Sequence, residues 1–142
     1  MAEVVIDTGS FSASKPGANI TGAIHLQCGD DQFPDARWND FPVIVLAWWL
    51  KGLLSLVRGQ ASECEAFFMD GPYRFTVRLI DGQTARITFK RAGGLTEKDV
   101  AFSALFASVA VAGAAAVHEC RARGWDNSDL DELAQLVAQA SI

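Results

Sequence analysis

The chain has 142 residues, of which 50% are hydrophobic and 20% charged, which predicts one globular domain spanning residues 1–142. The formal net charge of −5 argues against a nucleic-acid binder, because proteins of that class are normally basic. Three widely spaced cysteines without a CxxC pair, and an N-terminus without a signal-peptide core, favour free thiols and a cytoplasmic protein.

Two strands are expected before the first helix. Residues 2–7 form the first, and a loop rich in Ser, Gly and Pro follows over residues 8–19. Over residues 20–28 apolar and polar residues alternate, which predicts a strand with one buried face and places His25 on the polar face. An acidic loop, residues 29–40, then leads to the helix.

The central helix has clear start and stop signals. Pro42 suits the first helical position, and Arg58 with Gly59 are typical of a last-turn cation and a left-handed stop. Apolar residues cover nearly every side of this segment, so we expect it to lie buried between a sheet and other helices. It is too short for a membrane span, and Lys51 interrupts it.

Three antiparallel strands are predicted over residues 62–92. A two-residue Asp-Gly loop at 81–82 would place apolar side chains on opposite faces of the hairpin. A three-residue loop over 80–82 with a left-handed Gly82 instead pairs Val77 with Ala85 and keeps the apolar residues on one face.

The other face of this meander is polar. Glu63 and Glu65, on the neighbouring strand, are expected to pair with Arg78 and Arg74. The cations and hydroxyls predicted on this face are Arg74, Thr76, Arg78, Arg86, Thr88 and Lys90.

Two further helices are predicted. Thr96 with Asp99 resembles a capping box, which predicts a helix from there to about Arg123. Ser128 with Asp131 is expected to cap the last helix, which has a single apolar stripe.

Residues 100–117 carry no charge, which raises the possibility of a membrane span. Small residues dominate the segment, however, and this composition favours a buried, tightly packed helix. Gly113 is unfavourable inside a helix by about 1 kcal/mol relative to Ala, so close backbone packing is expected there.

The element order is therefore ββαβββαα. This order predicts an α+β domain, in which an antiparallel sheet of about five strands carries three helices gathered on one face.

Catalytic signals are weak. His25 and His118 could approach Cys28, Cys64 or Cys120 in space, which leaves a Cys–His nucleophile pair as an alternative. No nucleophile elbow, metal-binding motif or cofactor motif accompanies these residues, so we expect no catalytic residue, no metal and no cofactor.

Two surfaces are candidate partner-binding sites. The first comprises Asp30, Asp31, Phe33, Asp35, Trp38 and Asp40 in the acidic loop. The alternative is that its aromatic side chains only plug the end of the core. The second comprises Arg74, Arg78, Arg86 and Lys90 on the polar sheet face. The alternative there is an ordinary solvated sheet face.

Three segments are similar to a group of small bacterial proteins. They are FPDARWNDFPVIVLAWWL (33–50), FFMDGPYRF (67–75) and ECRARGWDNSDLDEL (119–133). The group combines F-P-x3-W-x-D-F before an apolar W-W helix with an M-D-G-P-Y turn, and it resembles the immunity proteins encoded beside polymorphic toxins. The resemblance implies a protein that binds a cognate toxin domain and occludes its active site, without catalysis.

The favoured hypothesis is therefore a cytoplasmic toxin-neutralising immunity protein that contacts its partner through the acidic loop. Its expected partner is a cognate protein toxin domain, and neither nucleic acid nor a membrane is expected. The alternatives are a small cytoplasmic enzyme that uses a Cys/His pair, and a structural or regulatory subunit that self-associates through the sheet face.

Overall fold

The computed structural model describes residues 1–141, which form eight strands and three helices. The strands are β1 (Ala2–Ser12), β2 (Thr21–Cys28), β3 (Asp31–Phe33), β4 (Asn39–Asp40), β5 (Glu63–Phe67), β6 (Arg74–Leu79), β7 (Thr84–Arg91) and β8 (Gly94–Ala101). The helices are α1 (Pro42–Val57), α2 (Phe102–Ala122) and α3 (Ser128–Ala140).

The strands form two antiparallel sheets of four strands each. The first has the order β1-β2-β3, with β4 also pairing with β2, and the second has the order β5-β6-β7-β8. The α+β class is confirmed, whereas the single sheet of about five strands in the order ββαβββαα is wrong. The two short strands of the acidic loop and the whole of β8 were not predicted.

Helix α1 lies at the centre of the fold. It contacts both sheets, through β2 and β5, and both other helices. The predicted start at Pro42 is confirmed, and so is the left-handed stop at Gly59, where φ is 69°. Most of the helix is buried as expected, although Trp48 (43% exposed) and Val57 reach solvent. The Trp49 indole N–H donates to the Phe67 carbonyl at 2.7 Å and so joins α1 to the end of β5.

The predicted capping box at Thr96 and Asp99 is wrong, because both residues belong to β8. Thr96 pairs with Phe89, and Asp99 pairs with Arg86. The Arg86 guanidinium donates to both Asp99 carboxylate oxygens, at 2.8 and 3.1 Å. The backbone of β8 is satisfied by pairing with the whole length of β7, so helix α2 begins only at Phe102.

The β6–β7 hairpin keeps the predicted buried face in a register shifted by two residues. Val77 pairs with Ile87 rather than with Ala85. A strand has a side-chain period of two, so both registers place the same residues in the core.

The turn of this hairpin also differs from the prediction. The Asp81 carboxylate accepts the backbone N–H groups of Gln83 and Thr84, at 2.8 and 2.7 Å, and closes the turn over residues 81–83. Gly82 is not among the residues with positive φ, so the left-handed bulge predicted there is absent.

Helix α2 is less buried than predicted. Among the described residues it is the single helix that could span a membrane by length and composition, and 33% of its most apolar window is buried. The close packing expected at Gly113 is confirmed, because a Cβ there would lie 3.0 Å from the Val137 side chain of α3. Its exposed positions are mostly small: Ser103, Ala104, Ala107, Val111, Ala114, Ala115, His118, Arg121 and Ala122.

Helix α3 lies where the sequence predicts, but Ser128, the predicted cap, is its first residue, so the cap lies one residue earlier. Asn127 occupies the N-cap position, and its side-chain oxygen accepts the Leu130 N–H at 2.8 Å. His25 is also not where the pattern placed it. The face of β2 predicted to be polar is covered, and His25 is buried on it.

Replacement of Gly22 by alanine tests the packing of the first sheet. A Cβ at Gly22 would lie 2.4 Å from Cδ1 of Phe11, a ring that is itself buried. We expect Gly22→Ala to lower the free energy of unfolding by about 1–3 kcal/mol in urea denaturation, because the core would be overpacked.

The control is Gly82→Ala, where no atom lies within 4 Å of the added Cβ. This variant should stay within about 0.5 kcal/mol of the unsubstituted protein. Equal stability of the two variants would contradict the packing described here.

Candidate functional site

The acidic loop of residues 29–40 is fixed to the first sheet at two places. Strand β3 pairs with the end of β2, and β4 pairs with its beginning. Gly29 and Arg37 both adopt φ of 57°, which turns the chain sharply on either side of β3. The loop is therefore a defined structural element that carries carboxylates on a rigid frame.

Asp40 holds this loop to the rest of the fold through a buried carboxylate, which is 1% exposed. One oxygen accepts the backbone N–H groups of Phe41 (2.7 Å) and Met69 (3.2 Å). The other accepts the Trp38 indole N–H (2.9 Å) and the Asp70 backbone N–H (3.1 Å). A buried charge is tolerated only when it is well paired or hydrogen-bonded, and four donors meet that need. Residues 38–41 and residues 69–70 thus meet at one carboxylate.

Phe33 anchors the middle of the loop in the core. Its ring is fully buried and lies edge-on to Phe68 and Tyr73, with centroids 5.8 and 5.9 Å apart, and tilted against Phe89 at 4.6 Å. Trp38 packs edge-on against Tyr73 at 5.2 Å but stays partly exposed. The alternative considered for these aromatics, that they plug the end of the core, describes Phe33 fully and Trp38 in part.

The remaining carboxylates of the loop reach the surface. Asp30 and Asp35 are exposed, whereas Asp31 forms ion pairs with Arg91 (3.8 Å) and Lys98 (3.5 Å) on the second sheet. The six predicted residues therefore divide into two groups. Phe33 and Asp40 are buried and support the loop from inside. The side chains of Asp30, Asp31, Asp35 and Trp38 are exposed or partly exposed to solvent.

The four cations of the second candidate surface lie together on the outer face of the second sheet. The predicted pairing of Arg74 with Glu65 is confirmed at 3.8 Å, and Glu63 lies opposite Arg78 in register. The guanidinium of Arg86 hydrogen-bonds Asp99 and holds the pKa of that carboxyl below its ordinary value. The position of this carboxylate was missed, because its spacing from Thr96 also fits a helix cap.

Among the described residues no hydrogen bond joins a cysteine to a histidine. Burial raises the pKa of each of the three thiols to about 11, so the nucleophilic thiolate is scarce at neutral pH. The His25 ring lies 3.2 Å from the side-chain oxygen of Gln27, and His118 is exposed whereas Cys120 is fully buried. Within residues 1–141 no three His, Cys, Asp or Glu residues are grouped as a metal site would require.

A groove that the sequence did not predict crosses the outer sheet face at one end. It has a volume of about 660 Å³, and Arg74, Lys90 and Leu95 are among the residues that line it. Leu95 is 72% exposed in β8, and the sequence did not place it on this face because β8 was not predicted.

A scan against protein-family models, a search of curated proteins and a search of solved structures each found no match to this chain.

Substitution of Asp40 tests whether its carboxylate holds the loop. Asp40→Asn keeps the shape of the side chain but replaces one acceptor oxygen with an NH₂ group, which cannot accept a hydrogen bond from the N–H donors. Hydrogen bonds to a charged group contribute about 1.5–3 kcal/mol each, so we expect a loss of roughly 2–4 kcal/mol in the free energy of unfolding. Asp35→Asn, at an exposed carboxylate of the same loop, is the matched control and should change stability by less than about 0.5 kcal/mol. Equal unfolding midpoints for the two variants would contradict the anchoring role.

The raised thiol pKa values predict a loss of stability at alkaline pH. The ordinary thiol pKa is 9.0 and the folded value is about 11, so between these values the unfolded chain releases thiol protons first. The stabilising contribution is complete below pH 9 and is lost as the pH rises toward 11. We expect Cys120→Ala to be less stable at pH 7.5 but to lose stability less steeply from pH 9 to 11. The free energy of unfolding is measured in urea at each pH. If it falls equally steeply from pH 9 to 11 in both proteins, burial of this thiol does not govern its ionisation.

Proposed function

We propose that this protein is a toxin-neutralising immunity protein that binds a cognate toxin domain and occludes its active site. The observation that carries the proposal is the acidic loop, which presents the exposed carboxylates of Asp30 and Asp35 from a backbone fixed on both sides. The resemblance of the three segments supports the same function, and two of them, 33–50 and 67–75, meet at the Asp40 carboxylate under the loop.

Rigidity of the loop favours tight binding. The Asp40 carboxylate accepts four N–H donors, and Phe33 lies in the aromatic core, so both internal anchors are immobilised. The ion pairs of Asp31 with Arg91 and Lys98 add a link to the second sheet. A loop that is already ordered loses little conformational entropy when a partner binds.

The chemistry of the loop favours a basic partner surface. Asp30 and Asp35 are exposed, and the partly exposed Trp38 provides an aromatic contact beside them. Aromatic anchors with a charged rim are typical of protein interfaces. The net charge of −5 would steer a basic toxin active site, such as that of a nuclease, toward this surface.

Inhibition by occupancy requires no catalytic group in the inhibitor. The high thiol pKa values argue against the alternative of a cysteine enzyme, because a nucleophilic cysteine is normally activated by a lowered pKa. Binding through a preformed surface is therefore the function that the geometry supports best.

Charge reversal in the loop tests this proposal. The probe is the C-terminal domain encoded by the gene immediately upstream, purified with this protein and titrated by biolayer interferometry. We expect Asp30→Lys with Asp35→Lys to weaken binding at least about tenfold at low salt, mainly through slower association. Asp31 is left unchanged, since its substitution would also break two internal ion pairs.

The matched control is Glu3→Lys with Glu132→Lys, which makes the same change in net charge at exposed positions outside the loop. The control should keep the affinity within about threefold, and both double variants should keep their melting temperature, because all four side chains are exposed. An equal loss of affinity in both variants would place the contact surface elsewhere. Absence of any complex, with a harmless upstream domain, would overturn the immunity function itself.

A further inference from the structure

The outer face of the second sheet contains two cross-strand pairs of like charge. Arg78 lies opposite Arg86 on β6 and β7. Arg74 and Lys90 are neighbours on the same two strands, one residue beyond the paired Phe75 and Phe89. Like charges placed opposite each other destabilise a sheet unless other groups neutralise them.

The first pair is neutralised within the protein. In register, Glu63 lies beside Arg78 and Asp99 lies beside Arg86. The row of four side chains across the sheet is therefore acid, base, base, acid, with a carboxylate at each end. The Arg86–Asp99 ion pair is also bidentate, with distances of 2.8 and 3.1 Å.

The second pair has different neighbours. Phe67 lies beside Arg74, and Leu95 lies beside Lys90. Both of these apolar side chains are exposed, at 41% and 72%. Arg74 reaches a carboxylate only diagonally, at Glu65 (3.8 Å), and among residues 1–141 Lys90 forms no ion pair.

The surface is concave at this second pair. The groove of about 660 Å³ is lined there by Arg74 and Lys90, by Leu95 and Pro72, and by the hydroxyl-bearing Thr76 and Thr88. A third cation in the lining, Arg91, is paired with Asp31 at 3.8 Å. This volume lies within the roughly 300–1,000 Å³ that is usual for small-molecule sites. Arg78 and Arg86, the neutralised pair, are not part of its lining.

We propose that this groove binds an organic carboxylate, with the anionic head between Arg74 and Lys90 and an apolar body against Leu95 and Pro72. A single negative charge suits the site better than a phosphate dianion, because Glu65 already offsets part of the charge of Arg74. A nucleic acid would meet repulsion from the four carboxylates of the same face, which are Glu63, Glu65, Glu97 and Asp99.

The site is tested on the full chain by ¹H–¹⁵N chemical-shift titration with 4-phenylbutyrate, an aryl carboxylate. Its neutral counterpart 4-phenylbutanol and inorganic phosphate are titrated in parallel. We expect saturable shifts with phenylbutyrate, largest at the amides of residues 74, 90 and 95, and at least about tenfold weaker binding of the other two compounds.

Two matched variants make the test specific. Lys90→Gln should weaken phenylbutyrate binding about three- to tenfold, whereas Arg78→Gln should change it less than about twofold. Arg78→Gln makes the same change in charge on the same face but outside the groove. Both positions are exposed, and unchanged unfolding midpoints confirm that each variant folds.

Several results would overturn the inference. Equal binding of phenylbutanol would remove the role of the cations, and equal binding of phosphate would remove the role of Leu95. Equal effects of the two variants, or shifts centred away from residues 74, 90 and 95, would place the binding elsewhere, and the absence of saturable binding would refute the site. The variant with Asp30→Lys and Asp35→Lys should bind phenylbutyrate normally, so this result stands or fails apart from the proposed immunity function.

Discussion

The buried carboxylate of Asp40 is the interaction on which the arrangement of this fold depends. It accepts N–H donors from three places in the chain: the Trp38 side chain, the start of α1 at Phe41, and the connection between β5 and β6 at Met69 and Asp70. Each oxygen receives two donors, so the desolvation of the charge is offset by hydrogen bonds and requires no counter-ion nearby. The first sheet, the central helix and the second sheet are thereby held at one point.

The aromatic cluster beside Asp40 packs the acidic loop against the second sheet and the turn that precedes β6. Phe33 fills the space between Phe68, Tyr73 and Phe89, while the indole of Trp38 both donates to Asp40 and packs on Tyr73. Asp30 and Asp35, which the loop displays, are therefore separate from Phe33 and Asp40, which fix it, whereas Trp38 and Asp31 contribute to both. A surface built in this way can change its exposed charges, and hence its partner, with little effect on stability.

Local patterns were sufficient to predict the central helix, the inner face of β6 and β7, and the stop at Gly59. They failed at β8, because its inward positions include Thr96 and Lys98, which hides the alternation of a half-buried strand. The hairpin register could not be predicted from the face alone, since registers two residues apart bury the same side chains. Within the candidate site, the sequence does not distinguish Asp40 from Asp35. The difference lies in donors about thirty residues away, which only the tertiary structure brings together.

The distribution of charge separates the two candidate surfaces. The outer sheet face carries equal numbers of cations and carboxylates at Arg74, Arg78, Arg86, Lys90, Glu63, Glu65, Glu97 and Asp99, so the net charge of −5 resides elsewhere on the protein. A basic partner would therefore be attracted toward the rest of the molecule, which includes the acidic loop. An anion would be attracted to the sheet face only at short range, between Lys90, which forms no ion pair among residues 1–141, and Arg74, which reaches only Glu65. The two surfaces nonetheless adjoin each other, because Arg91 lines the groove and also forms an ion pair with Asp31 of the acidic loop at 3.8 Å.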